Sequence, residues 1–171
     1  LFGTSFVAGG NFVLNTCNGG KIYFSFLKSQ IKQNMNLIIY TTQLTNLEEV
    51  QIEGFFAGWQ NKPTNQTLLQ ILSNASYKVV AIDKNAKKMV GFIYAISDNT
   101  ISAYIPLLEV LPEYQKKGIG KELIVRILDM LKDFYMIDLS CDANLVTYYE
   151  KFHFQKGISM LKRNYNILKQ I

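Results

Sequence analysis

The chain has 171 residues, 49% of them hydrophobic and 18% charged, with a mean hydropathy of +0.06. That is a globular composition with enough apolar surface for a sizeable core, and it excludes a disordered polymer. The net charge of +5 divides into +3 from Lys21, Lys28 and Lys32 in residues 1–34, and only +2 from all that follows. So diffuse an excess is no nucleic-acid footprint, and no apolar run is long enough to span a bilayer, so neither nucleic acid nor membrane is an expected partner.

Residues 1–34 contain five of the eleven glycines, no acid and no proline. Gly-Gly pairs interrupt the apolar part and the lysines follow it, the reverse of a secretory leader, so the stretch reads as an N-terminal extension. A strand over residues 23–27 is expected within it. The patterned domain is expected over residues 35–171.

Residues 37–41, Leu-Ile-Ile-Tyr-Thr, form the first expected strand of that domain. Thr45 or Asn46 is placed to cap a helix whose Glu48 and Glu49 suit its positive end, with Val50, Phe55, Phe56 and Trp59 as its core-facing stripe. A turn-rich connection follows, and Leu68, Leu69, Ile71 and Leu72 mark a second, short helix. Strands are expected at 77–83 and 88–97, joined by a hairpin turn at Asp83-Lys-Asn-Ala-Lys, and Asp98-Asn-Thr turns the chain into a third. Three strands joined by tight turns predict an antiparallel meander.

That third strand runs into residues 104–122, Tyr-Ile-Pro-Leu-Leu-Glu-Val-Leu-Pro-Glu-Tyr-Gln-Lys-Lys-Gly-Ile-Gly-Lys-Glu. A strand gives way to a donor-rich turn and then to the first turn of a helix. Gly118 and Gly120 remove side chains that would keep a ligand from the backbone, and the helix start leaves amide hydrogens unpaired. Lys116, Lys117 and Lys121 add cations, which together make a site for a phosphate or pyrophosphate. Leu123, Ile124, Ile127, Leu128 and Leu131 give the helix one apolar face. The next strand, at 134–141, is reached by a helical crossover and is expected to pair in parallel with the loop strand. A short helix at 144–151 and a final strand at 154–162 complete the pattern.

The run Val110-x-Pro112, then Gln115-x-x-Gly118-x-Gly120, between a strand and a helix, resembles the acyl-CoA loop of the GCN5-related N-acetyltransferase (GNAT) superfamily. The element order over about residues 36–165 is similar to that family's as well. The resemblance implies an α+β fold: a central, mostly antiparallel sheet, splayed at one parallel strand pair and flanked by about four helices. It implies acetyl-CoA as co-substrate, with no metal, and transfer of its acetyl group to a primary amine of a small molecule or protein. A homodimer is compatible with it.

By the same resemblance the backbone from Leu108 to Val110 pairs with pantetheine, and Gln115, Lys116, Lys117, Gly118, Ile119, Gly120 and Lys121 hold the pyrophosphate. A second family signature, an Asn before a helix ending Tyr-Glu-Lys-x-Gly-Phe, is met by Asn144 and by Tyr149-Glu-Lys-Phe-His-Phe154. Asn144 is thereby implied in cofactor binding and Tyr149 as the acid that protonates the thiolate; a phenol is protonated at neutral pH. Tyr148 ranks second, and His153 stands where the family has glycine. Glu109 is the candidate base, on the strand face opposite Leu108 and Val110, with the pocket-lining face left open; Asp138 and Cys141 are weaker candidates.

Three other readings compete. A dinucleotide-binding loop lacks its third glycine, because Leu123 stands there, and a Walker loop would need Ser or Thr where Glu122 stands. A non-catalytic acyl-CoA sensor or interaction domain is the remaining alternative. One histidine leaves no histidine-based metal site, and Cys17 and Cys141 read as reduced thiols of a cytoplasmic protein. Phe55 and Trp59 hint at an apolar or aromatic amine as acceptor.

Overall fold

β-Branched and aromatic residues dominate two long runs of this chain, and those runs become the centre of a sheet. The computed structural model describes residues 37–47 and 49–163; the expected extension and its strand at 23–27 lie outside them. Five strands, β1 (Ile38–Thr41), β2 (Tyr77–Asp83), β3 (Lys88–Ser97), β4 (Ser102–Val110) and β5 (Met136–Leu139), lie side by side in that order. β1 to β4 are antiparallel neighbours, and β5 joins β4 in parallel. Three α-helices accompany them: α1 (Asn65–Asn74), α2 (Ile119–Met130) and α3 (Val146–Glu150).

Local chemistry ends each element. The Asp83 carboxylate accepts from the amides of Asn85 and Ala86 and closes the β2–β3 hairpin. Asp98 does the same for Ser102, Thr100 and Ile101, and those amides hold its carboxyl below the usual range. Thr64 caps α1, its hydroxyl accepting from Thr67 N at 3.0 Å.

The sheet is covered on both faces. On one, Val80, Ile82, Phe92 and Tyr94 pack with Leu68 and Leu72 of α1 and with Phe55 and Phe56. On the other, Val79, Ala81, Ile93, Ala95 and Ile105 pack with Ile119, Leu123, Ile124 and Ile127 of α2. β2 and β3 therefore read as nearly continuous apolar runs. Gly91 lets α2 approach: a Cβ there would lie 3.1 Å from the Glu109 carbonyl and 3.2 Å from Leu123.

One irregularity shapes the sheet beside the site. Along β3 and β4, Tyr94 faces Leu107 but Ile96 faces Tyr104, so β4 carries one extra residue opposite Ala95. Such a bulge bends and twists its strand. Pro106, with no amide hydrogen to donate, sits in this region. Pairing with β5 stops one residue earlier, at Ile105 with Leu139, so, among the described residues, 106–110 of β4 have no strand partner on that side.

Four expectations need correction. The helix predicted after Thr45 or Asn46 does not form: a 3-10 turn at Leu44–Leu47 is followed by irregular chain up to α1. Gly54, Phe56 and Gly58 all have φ between 58° and 89°, which breaks any right-handed helix, and Glu48 lies outside the described residues. Burial, not helical period, placed the aromatics: Phe55 and Phe56 enter the core side by side, while Trp59 stays 43% exposed. The strand predicted over 154–162 is absent, and no strand among the described residues pairs with it; Ile158 and Met160 are fully exposed. β5 spans four residues instead of eight, and three α-helices, not about four, are present among the described residues. At His153 the chain keeps the glycine-like turn, with φ 67°.

Candidate active site

From Val110 the chain passes through a 3-10 turn, Pro112–Tyr114, and reaches α2 by way of two left-handed residues, Lys116 (φ 59°) and Gly118 (φ 86°). Tyr114 anchors this turn, its hydroxyl donating to Asp83 at 3.0 Å. Gly118 caps α2 without a side-chain bond, and a Cβ built on it meets nothing within 4 Å. The helix thus begins with amides that no side chain caps, the geometry that receives an anion. Lys116, Lys117 and Lys121 are exposed around it, and Lys117 also rests over the Tyr114 ring at 4.8 Å. Ile119 is buried beneath the loop, so it offers a ligand only its backbone. Gln115 is different again: its side-chain amide turns back and donates to the Val110 carbonyl at 3.0 Å.

The exposed edge of β4 follows from ladder geometry. Leu111 N donates to Val90 O at 2.9 Å, and alternation then turns Glu109 and Leu107 toward β3. Leu108 presents its amide and carbonyl, and Val110 its amide, to the opposite side, beyond the last β5 pair, while the Val110 carbonyl there accepts from Gln115. An extended ligand with its own amide groups fits such an edge as one more strand.

Glu109 projects from the other face of β4, away from α2, toward the loop containing Phe55 and Phe56. Its carboxylate accepts from Phe56 N at 2.7 Å. Partial burial pushes its pKa up, opposed by the Phe56 and Ala57 amides and by the charge of Lys62. These two amides and Lys62 were not visible as site residues in the sequence. The amides are 53 and 52 positions away in a segment that reads as a helix, and Lys62 lies in the turn-rich connection that follows it.

Two tyrosines of α3 pack against the α2-side core. Tyr149 stacks edge-on with Tyr148 and Phe154, and its pKa is pushed up to about 12 by burial, then by Cys141 and Tyr148. Tyr148, ranked second in the sequence, is half-buried beside it. Its hydroxyl lies 3.1 Å from where a Cβ on Gly120 would be, against the first turn of α2. Asn144 lies exposed in the 3-10 turn before α3, and Asp138 and Cys141 are exposed at and beyond β5.

Elsewhere, a shallow hollow of about 360 Å³ lies between β1 and α2, lined in part by Tyr40, Val79, Val125 and Met130. No residue of β4, of the turn into α2 or of α3 lines it. Among the described residues no helix is long and apolar enough to cross a membrane.

The acetyltransferase (GNAT) domain model matches residues 43–165. The chain belongs to the GNAT acetyltransferase family. A ycf52 protein of Pyropia yezoensis, an uncharacterized N-acetyltransferase, is 29% identical over 124 residues, 69% of this chain and 71% of that one. A crystal structure assigned to an acetyltransferase of Deinococcus radiodurans R1 matches at 40% identity with a TM-score of 0.72, over 76% of this chain and 90% of that one. Glucosamine-6-phosphate N-acetyltransferase of Arabidopsis thaliana shares the fold, at 16% identity and a TM-score of 0.58, over 74% and 97%. As a GNAT enzyme the chain is an acetyl-CoA-dependent N-acetyltransferase acting on an amine.

Proposed function

We propose that this GNAT enzyme transfers acetyl directly to a primary amine, with no acyl-enzyme stage, at the point where the open β4 edge passes Glu109. The observation that carries the reading is the conjunction of that edge with the uncapped start of α2. Backbone groups of Leu108 and Val110 hold the extended arm, and amides from Gln115 to Lys121, with the three lysines, hold the pyrophosphate. Asn144 borders the same ligand from the α3 side.

Acetyl-CoA supplies an activated acyl carbon as a thioester. The acceptor must reach it as a neutral amine, because an ammonium has no lone pair. As the C–N bond forms and the C–S bond breaks, Glu109 takes the proton shed by nitrogen, directly or through one water. A carboxylate whose pKa is raised by burial is the better base. The sulfur leaves as a thiolate and receives a hydrogen bond from Tyr149. With a pKa near 12 against roughly 8.5 for an ordinary thiol, Tyr149 stays protonated and stabilises the thiolate mainly as a donor.

The test is thermal stability of the full chain with acetyl-CoA, and with CoA, NAD and ATP as controls. At about 100 times its dissociation constant a ligand adds roughly 2.7 kcal/mol of stability. A shift with the CoA compounds alone, and free thiol released when an amine is added, are the expected results. A shift with NAD or ATP but none with CoA would overturn the loop assignment. Thioester protected in the presence of every amine offered would leave a sensor.

A further inference from the structure

Glu109 does something besides face the acceptor. Loop 54–59 contains three left-handed residues in five positions, Gly54, Phe56 and Gly58. Such a turn does not hold itself by a regular ladder. Phe55 and Phe56 plug it into the core, each beside Phe92, with ring centroids 5.2 and 6.3 Å away. Gly54 sits tightly over Leu111, where a Cβ would come within 3.2 Å. The Glu109 carboxylate fastens this loop to β4: it accepts from Phe56 N at 2.7 Å and also faces the Ala57 amide. From the same residue, Phe56 O accepts from Trp59 N at 3.1 Å, and the two rings meet edge-on at 5.3 Å. Bond and ring contact together connect Glu109 to the indole of Trp59, the one tryptophan of the chain.

We propose that Glu109 is a positioning residue for the acceptor side of the site: its carboxylate clamps loop 54–59 to β4 and so sets where the Trp59 indole stands. This deepens the acetyltransferase reading and rests on it for the identity of that side as the acceptor's. Two roles then meet in one carboxylate. One oxygen is committed to the Phe56 amide, so the base is oriented before an amine arrives. An exposed indole at a fixed place beside it offers a flat apolar platform for the body of the acceptor.

The clamp is read without any substrate, through the emission and acrylamide quenching of Trp59 in the full chain. Glu109→Gln keeps an oxygen that accepts from Phe56 N, so both signals should match the wild type. Glu109→Ala removes the acceptor, and the freed loop should raise the quenching constant about two-fold. An Ala variant identical to the wild type, or a Gln variant altered as much as Ala, would overturn the clamp. Should Glu109→Ala fail to fold, amide exchange in the wild-type chain decides: Phe56 N–H should be at least about ten-fold protected, and exchange as fast as in an unfolded chain would overturn it. Loss of the CoA thermal shift bears only on the acetyltransferase reading, since the Trp59 signals require no CoA.

Discussion

Glu109 and Tyr149 are both half-buried, and burial moves their pKa values upward for the same reason: each loses solvent that would support its charged form. For Glu109 the sign of the consequence can be worked through. Its folded pKa lies above the ordinary 4.5, so between 4.5 and the raised value the folded chain binds more protons than the unfolded one. Stability is therefore lost as pH rises through that window. Glu109→Gln carries no charge to bury and keeps the Phe56 bond. Its melting temperature should equal that of the wild type near pH 4 and exceed it near pH 7; an equal difference at both would refute the burial argument. In catalysis Gln cannot take a proton, and the acid limb of the pH–rate profile should disappear. Tyr149→Phe should lower kcat roughly 100-fold, the low end of what one preorganised donor to a developing anion contributes, with the acetyl-CoA KM unchanged. Tyr148→Phe is the control, and a larger loss there would transfer the role to the hydroxyl at Gly120.

At the scale of elements, the turn from β4 into α2 was legible in full. Gly118 and Gly120, three lysines and a following apolar stripe all describe local geometry, and local geometry is what a short stretch of chain encodes. Gly118→Ala tests it: the added methyl meets no atom, so its cost is conformational, about 1 kcal/mol for a left-handed L-residue. Urea unfolding should show that loss, and the acetyl-CoA thermal shift should shrink because the methyl stands before the α2 amides. The segment 44–59 was misread as a helix for the opposite reason. Its apolar residues occur near helical spacing, yet Gly54, Phe56 and Gly58 turn the chain the other way, and Phe55 and Phe56 are held by a core made 36 residues later, at Phe92. The strand predicted at 154–162 failed on similar grounds. A strand needs a neighbour, and β propensity does not supply one.

At the scale of the molecule, the sheet works as a partition with two separate cores, and the open half of β4 runs on past the last β5 pair. Phe92, fully buried at the centre of the α1-side core, carries that partition. Phe92→Ala should cost about 3–5 kcal/mol in chemical unfolding, whereas Tyr135→Ala, at a site 88% exposed, should stay within about 0.5 kcal/mol. The Phe92 change should also loosen loop 54–59, since both aromatics of that loop rest on its ring.

By itself the sequence determined the antiparallel meander, the parallel return of β5, the glycine-led start of α2 and, through them, the family. Each of these depends on residues within a turn or two of one another, or on a crossover that chain connectivity allows in one direction only. Tertiary structure alone decided which face of β4 Glu109 occupies, what its carboxylate holds, and how far β5 pairs before the edge opens. It also decided that Tyr148 reaches Gly120. Those are outcomes of contacts between residues tens of positions apart, and they are set by one extra residue in β4 and by the filling of two cores, which no local pattern in the chain records.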